Sequence, residues 1–183
     1  MTSELLFTGP ELCKFEAHEV VALLKAREIS SSDLIDAALT RIAQTGPLIN
    51  ATPTLCEARA RAVDLSSRDS TPAGWLAGLP ITIKDLNAVA NVRTTFGTKG
   101  LAGFIPQKSD PLVDQLEQRG AVILGKTNTP EFGAGGNTFN DVFGQTRNPW
   151  NTALNPGGSS GGAAASLAAG EIWLSHGSDH GGS

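Results

Sequence analysis

The chain has 183 residues, enough for one domain whose hydrophobic core needs no disulfide or structural metal. A content of 40% hydrophobic and 17% charged residues is ordinary for a globular protein and excludes a disordered chain, a coiled coil or a collagen-like fibre. The net charge of -4, with no cluster of basic residues, argues against a nucleic-acid-binding protein. No apolar run reaches the roughly 18 residues of a membrane helix, and the amino terminus lacks a signal-peptide pattern. With only Cys13 and Cys56 as cysteines, the sequence predicts a soluble, cytoplasmic protein without a membrane partner.

The first part of the chain is predicted to be mainly helical. Of the 21 glycines, only Gly9 and Gly46 precede residue 74, which divides one partial domain into residues 1–73 and 74–183. Apolar residues at helical spacing predict helices over three stretches, and Gly46 with Pro47 is expected to end the second of them. The predicted helices are Glu16–Glu28, Ser30–Gln44 and Thr54–Ser67.

The second part predicts strands that alternate with helices. Apolar, β-branched segments predict strands at Leu79–Ile83, Val122–Gly125 and Ile172–Leu174. Helices are predicted at Asp110–Arg119 and Ala163–Ala169, and residues 133–156, rich in Gly and Asn, are predicted to be an irregular loop. Strands and helices in this order indicate an α/β fold.

Three motifs collect the reactive side chains. GLPITIKD contains Lys84, GGSSGG contains Ser159 and Ser160, and SDHGGS contains Ser178, Asp179 and Ser183. Each alone has a structural explanation: a solvated strand end, a flexible linker or an anion-binding helix start, and a plain turn. Together they supply a nucleophile, a base and backbone donors beside glycines, which acyl transfer requires. The absence of Tyr and the presence of only three His also direct any catalysis towards Ser, Lys, Asp or Glu.

The three motifs and their order resemble the amidase signature hydrolases. The text between them, ILGKTNTPEF and FGQTRNPWN, is also similar to that family. The resemblance implies a mixed β-sheet flanked by helices, of which this chain would hold an incomplete, amino-terminal part. It also implies an amidohydrolase that cleaves a small-molecule carboxamide through a seryl acyl-enzyme, without a metal or organic cofactor. A homodimer of the full-length form stays open.

The resemblance also assigns roles to individual residues. It implies a catalytic triad of Ser183 as nucleophile, Ser159 after a cis peptide bond as proton bridge, and Lys84 as base. Ser160 and Asp179 would be neighbours of that triad. The backbone amides of His180, Gly181, Gly182 and Ser183 would form the oxyanion hole.

The residues themselves agree with such a mechanism. A serine hydroxyl needs a base within hydrogen-bond reach, and a lysine is a base only when burial or neighbouring dipoles lower its pKa. Glycines at 181 and 182 leave the backbone N–H groups unobstructed. His180 departs from the family, which more often has Thr or a small apolar residue there; its amide can still serve the hole.

Two alternatives change the chemistry. Residues 158–162 also fit GxSxG, which would make Ser160 an esterase nucleophile, but the preceding NPWNTALNP does not predict the strand that this elbow requires. His176 and His180 have the i, i+4 spacing of a helical zinc site, with Asp179 between them, but Gly177, Gly181 and Gly182 disfavour a helix.

Of two further alternatives, one is another member of the same family and the other is a protein without catalytic activity. The amidase subunit of a tRNA-dependent amidotransferase uses the same triad to release ammonia from glutamine, although GNTFND lacks the acidic residue expected after its Thr. A non-catalytic remnant would use the glycine-rich loops only for binding. If the chain is a fragment, we expect an uncovered sheet edge and little activity, because the terminal carboxylate of Ser183 would repel an oxyanion about 5 Å away by roughly 3 kcal/mol.

Overall fold

A computed structural model describes residues 7–67, 70 and 73–182, and in it the amino-terminal region forms two long helices. They are α1, Ala17–Ala26, and α2, Ser31–Ile49. Each begins with a capping box, in which Glu16 pairs with Glu19 and Ser30 pairs with Asp33. These reciprocal bonds satisfy backbone N–H groups that a helix start leaves without partners, which explains why the predicted starts are correct to within one residue.

The predicted end of α2 is wrong, because the helix continues through Pro47 to Ile49. Proline removes one N–H from the last turn, and Asn50 closes that turn with a left-handed backbone and a 2.9 Å bond from its N–H to the oxygen of Gly46. Ile49 is buried in a small cluster with three alanines, and this burial offsets the lost hydrogen bond.

The predicted helix Thr54–Ser67 is wrong over most of its length. Thr54–Leu55 is a strand, β1, and only Glu57–Arg61 forms a helix, α3. β1 pairs antiparallel with residues 125 and 126, and the oxygen of Thr54 approaches Gly125 so closely that an added Cβ would lie 2.6 Å away. Hydrogen bonding to a sheet edge therefore overrides local helix propensity here.

The central sheet confirms the predicted mixed α/β class. Strands β2, Pro80–Lys84, and β3, Val122–Thr127, are parallel, and the strand order is β1-β3-β2. Helix α4, Pro111–Gln118, connects them. Every residue of both strands is buried, as expected for strands covered on both faces. β3 extends two residues beyond its predicted end.

The segment Ile172–Leu174, predicted to be a strand, does not form one and only runs beside β2. The N–H of Thr82 donates to Leu174 and its oxygen accepts from His176, and an isolated parallel bridge joins Thr82 to Ser175. The chain leaves β2 after this bridge and turns towards Lys84. Helix α5, Gly161–Ala168, precedes this segment.

The predicted loop 133–156 contains two short strands. Phe139–Asn140, β4, and Gly144–Gln145, β5, form an antiparallel pair, with Gly144 at a positive φ of 81° that favours glycine. In the described ranges, no helix is both long and apolar enough to cross a membrane.

Glu171 is a fully buried carboxyl group just after α5. The Oγ1 atoms of Thr45 and Thr52 lie 2.6 and 3.0 Å from its two oxygens. Burial raises the pKa of Glu171, while these hydrogen bonds and the charge of Arg41 oppose the rise. The folded protein therefore holds a proton on Glu171 more tightly than the unfolded chain does.

A change of Glu171 to glutamine tests this effect. The stabilisation from the proton is complete below the unfolded pKa of about 4.3 and is lost as the pH rises through the higher folded pKa. We expect Glu171→Gln to gain stability relative to the parent as the pH rises from about 4, by up to about 1.4 kcal/mol per pH unit. Urea denaturation of both proteins at several pH values measures this; a difference independent of pH would contradict it.

Gly162 lies so close to neighbouring backbone that a side chain there is expected to destabilise the protein. A Cβ there would lie 2.4 Å from the nitrogen of Asn128 and 2.8 Å from the oxygen of Ala51. We expect Gly162→Ala to lower the free energy of unfolding by about 1–3 kcal/mol through overpacking. Gly46→Ala is the matched control, because Gly46 is helical with open space around it, and should stabilise by about 0.5–1 kcal/mol. Equal effects in urea denaturation would refute this explanation.

Candidate active site

The site lies where the parallel strands end. Lys84 is the last residue of β2, pairs in register with Thr127 and is fully buried. The carboxyl ends of parallel strands are the usual place for ligand sites in α/β proteins. The buried sheet thus places a long, flexible basic side chain at the edge where other segments converge.

The loop before α5 carries the paired serines to this edge. The Gly158–Ser159 peptide bond is cis. Thr138 fixes the loop at two points, since its Oγ1 donates to the oxygen of Gly157 at 2.7 Å and accepts from the N–H of Gly161 at 3.1 Å. Thr129 Oγ1 donates to the oxygen of Ser159 at 3.1 Å. These buried threonines, which the sequence did not single out, hold Ser159 and its neighbours in place.

Three serines surround the amine of Lys84. Its Nζ lies 2.6 Å from Ser159 Oγ and 2.9 Å from both Ser160 Oγ and Ser178 Oγ, and 3.4 Å from the oxygen of Ser178. The sequence placed Ser178 among the reactive residues but assigned it no role. Its proximity to Lys84 makes it part of the site.

The hydroxyl proton of Ser160 has a defined direction. Ser160 Oγ lies 3.0 Å from the oxygen of Ser178, which can only accept, so Ser160 must donate there. The same Oγ accepts the N–H of Ser178 at 3.1 Å. Lys84 must therefore be the donor towards Ser160. Of the two paired serines, Ser159 makes the shorter contact with Lys84.

Burial lowers the pKa of Lys84, and the negative charge of Asp179 partly opposes this shift. Asp179 lies on the exposed loop that follows Ser178, and its Oδ1 accepts the N–H of Gly182 at 2.6 Å. In this arrangement, one amide of the predicted oxyanion hole is bonded to a carboxylate. Burial thus shifts Lys84 in the direction of the neutral amine that a general base requires.

A cavity of about 310 Å³ opens beside Ser159. Its wall is almost entirely main chain, because glycines contribute most of it. The residues that line it are Gly133, Gly135, Gly136, Gly158, Ser159, His180, Gly181 and Gly182. A wall of glycines leaves room for a substrate and exposes backbone groups to it.

The structure thus brings together all the predicted site residues that it describes: Lys84, Ser159, Ser160, Asp179, His180, Gly181 and Gly182. Ser183, the predicted nucleophile and a member of the predicted oxyanion hole, lies outside the described residues.

The two alternative sites find little support in the geometry. Helix α5 follows Ser160, but no strand immediately precedes it, since the element before α5 is the short strand β5, so the strand-to-helix turn of an esterase elbow is not formed. Residues 176–180 are not helical, so His176 and His180 do not share a helix face. Within residues 7–67, 70 and 73–182, no three His, Cys, Asp or Glu side chains are grouped to hold a metal ion.

Comparison with known proteins gives consistent matches. A family model described as Amidase matches residues 33–183. A glutamyl-tRNA(Gln) amidotransferase subunit of Dehalococcoides mccartyi is 43% identical over 176 residues, which are 94% of this chain and 36% of that protein. The structure of 6-aminohexanoate cyclic dimer hydrolase superposes with a TM-score of 0.82 at 32% identity, covering 90% of this chain and 34% of that one.

A more distant structure agrees with these matches. Fatty acid amide hydrolase has a TM-score of 0.83 at 26% identity, covering 94% of this chain and 31% of that one. The chain spans about a third of the length of the proteins it matches. The family model and the shared fold confirm the resemblance in the motifs: this chain belongs to the amidase family.

Proposed function

We propose that the protein to which this chain belongs is an amidohydrolase that cleaves a carboxamide C–N bond through a seryl acyl-enzyme. The observation that carries the proposal is the fully buried Lys84, whose Nζ lies 2.6 Å from Ser159 Oγ beside an open, glycine-lined cavity. A buried amine with a lowered pKa next to a serine hydroxyl is suited to accept a proton.

The contacts of Ser160 separate its part from that of Ser159. Ser160 gives its own proton to the oxygen of Ser178, so it can only accept from Lys84. Ser159 has the shortest contact with Nζ, 2.6 Å, and a neutral amine has a lone pair that can receive its hydroxyl proton. This geometry supports Ser159 as the bridge and Lys84 as the base.

In the proposed reaction, Ser183 Oγ attacks the carbonyl carbon of the amide. Its proton passes to Ser159 Oγ as the Ser159 proton passes to Lys84. Backbone amides of residues 180–183 stabilise the oxyanion, for which the N–H of Gly182 is released from Asp179. Return of a proton through Ser159 to the leaving nitrogen releases ammonia or an amine. Water, activated along the same path, then hydrolyses the ester and regenerates Ser183.

Covalent labelling tests this proposal. In a folded polypeptide that contains this chain, a fluorophosphonate should label Ser183, and Ser183→Ala should abolish both labelling and hydrolysis. Ser70→Ala, at an exposed position, is the matched control and should leave both unchanged. Labelling that persists in Ser183→Ala would overturn the assignment, and failure of the parent to react would favour a non-catalytic remnant.

A second candidate function is that of the amidase subunit in a tRNA-dependent amidotransferase. The similarity to the glutamyl-tRNA(Gln) amidotransferase protein of Dehalococcoides mccartyi favours it. Against it, Phe139 stands where an acidic residue is expected after Thr138, and it lines a second cavity of about 380 Å³ next to the first. Turnover of glutamine, compared with aliphatic and aromatic amides, separates the candidates. Preference for glutamine together with co-purifying partner chains would favour the amidotransferase.

The setting of the reaction is also a proposal. Cys13 and Cys56 are both free thiols, which suits a reducing compartment such as the cytoplasm. A homodimer of the full-length form is proposed with it, and the molar mass of the active protein in solution tests this.

A further inference from the structure

A buried ion pair lies directly behind the site and has no role in the proposed reaction. Lys126 Nζ is 2.9 Å from Asp85 Oδ1, and the two side chains are 0% and 1% exposed. Lys126 also donates to Thr94 Oγ1 at 2.8 Å, and Thr95 donates to Asp85. We call these four residues, Asp85, Thr94, Thr95 and Lys126, the Asp85–Lys126 network.

The network occupies the opposite side of the sheet end from the serines. Successive side chains of a strand point to opposite faces, so Ile83 lies on the other face from Lys84. Asp85, in the turn after β2, is bonded to Lys126. Lys126 pairs in register with Ile83, one residue before the pairing of Lys84 with Thr127. The backbone that carries Lys84 is therefore held between the serines on one face and the network on the other.

Every polar group of Asp85 is used. Its Oδ1 accepts from Lys126, and its Oδ2 accepts from the N–H and Oγ1 of Thr95 at 3.0 and 2.6 Å. Its own N–H donates to Thr127, and its oxygen accepts from Phe96. The residue next to the base is thus tied to β3 and to the loop that contains residues 94–96.

The same residue is connected to the cavity wall. The oxygen of Phe96 accepts the N–H of Phe132 at 2.7 Å, next to Gly133, which lines the cavity. The two loops are also in close contact, because a Cβ on Gly97 would lie 3.0 Å from the Cα of Glu131. Displacement of Asp85 would therefore move both Lys84 and the wall beside Ser159.

We propose that Asp85 and Lys126 are positioning residues. They fix Lys84 next to Ser159 and hold the cavity wall in a constant position relative to Lys84. The inference rests on the amidohydrolase function proposed above. Stability alone explains the pair poorly, because burying two charges costs about as much as their attraction returns, and apolar residues of similar volume often stabilise as well or better. A positioning role explains the buried pair better, since a misplacement of a reacting group by about 1 Å can lower a rate about a hundredfold.

The test removes both charges together, in an active polypeptide that contains this chain. The double variant Asp85→Asn with Lys126→Met should lower kcat per labelled active site by about 10- to 100-fold, with little change in KM. The matched control is Arg59→Met with Glu117→Gln, which breaks a 2.8 Å ion pair between α3 and α4. The control should lose stability without losing kcat per labelled site.

The pH profile provides a readout that mere destabilisation would not move. Asp179 and His176 are the titratable groups that interact with Lys84, and Asp110 and Cys56 interact with Lys126. The double variant leaves all four in place and does not change the net charge. A displaced, better solvated Lys84 should move the acid limb of the profile to higher pH, whereas partial unfolding would only lower its height.

Each outcome separates the two proposals. If Lys84→Ala retains activity, the proposed function fails. If Lys84→Ala is inactive while the double variant matches the control in kcat and in pH profile, the positioning role is overturned and the function stands. If the double variant does not fold, Thr95→Val removes one bond to Asp85, and it should shift kcat and the acid limb in the same direction by less.

Discussion

Replacing Lys84 with alanine is expected to lower the rate of amide hydrolysis by about 10²- to 10⁴-fold, the usual cost of losing a general base. The amine contacts Ser159, and the neighbouring buried lysine cannot replace it, because Lys126 is bonded to Asp85. Lys25→Ala, on the exposed side of α1, is the control and should retain full activity. Unchanged hydrolysis in Lys84→Ala would remove the lysine from the mechanism.

The parent enzyme should also gain activity as the pH rises. Protonated Lys84 cannot accept a proton, so the rate should increase through the pKa of Lys84, which burial lowers. Asp179→Asn removes the charge that opposes this shift, and should move the acid limb of the profile to lower pH. A pH profile of kcat/KM for the two proteins measures the change, and a limb at higher pH in the variant would contradict it.

Ser159→Ala is expected to have an effect as large as that of Lys84→Ala, about 10²- to 10⁴-fold, because it breaks the proposed path between Ser183 and Lys84. The adjacent Ser160→Ala is the matched control. Ser160 gives its proton to Ser178, so its loss should loosen the following loop and cost less than Ser159→Ala. Single-turnover kinetics of both variants measures the acylation step. A larger loss in Ser160→Ala would assign the bridge to the other serine.

The parts of the fold that could be predicted are those with strong local signals. Apolar residues at helical spacing located α1 and α2, and apolar, β-branched runs located β2 and β3. The errors arose where distant contacts decide. β1 forms where Gly125 admits a neighbouring backbone, and Pro47 stays in its helix because Ile49 is buried against Ala165 of α5 and the following Ala169. Neither partner is near in sequence.

The candidate site also contains residues that the sequence could predict and residues that it could not. Lys84, Ser159 and Ser160 were predictable because their motifs resemble a known family, and the structure brings them within hydrogen-bond distance. The threonines that hold the serine loop, and the Asp85–Lys126 network, carried no pattern of their own. A buried threonine or ion pair is recognised only by its surroundings, which a single sequence does not display.

The glycine wall of the cavity has a consequence for how substrate preference can change. Gly136 lines the cavity, has open space where a Cβ would lie and has no left-handed backbone, so a side chain can start there without displacing main chain. Alanine, valine and leucine at this position should exclude progressively bulkier acyl groups. None of these changes touches the hydrogen bonds of Lys84. In the proposed amidohydrolase, a change at this one position would therefore alter which amides are accepted, while the proton-transfer groups stay constant.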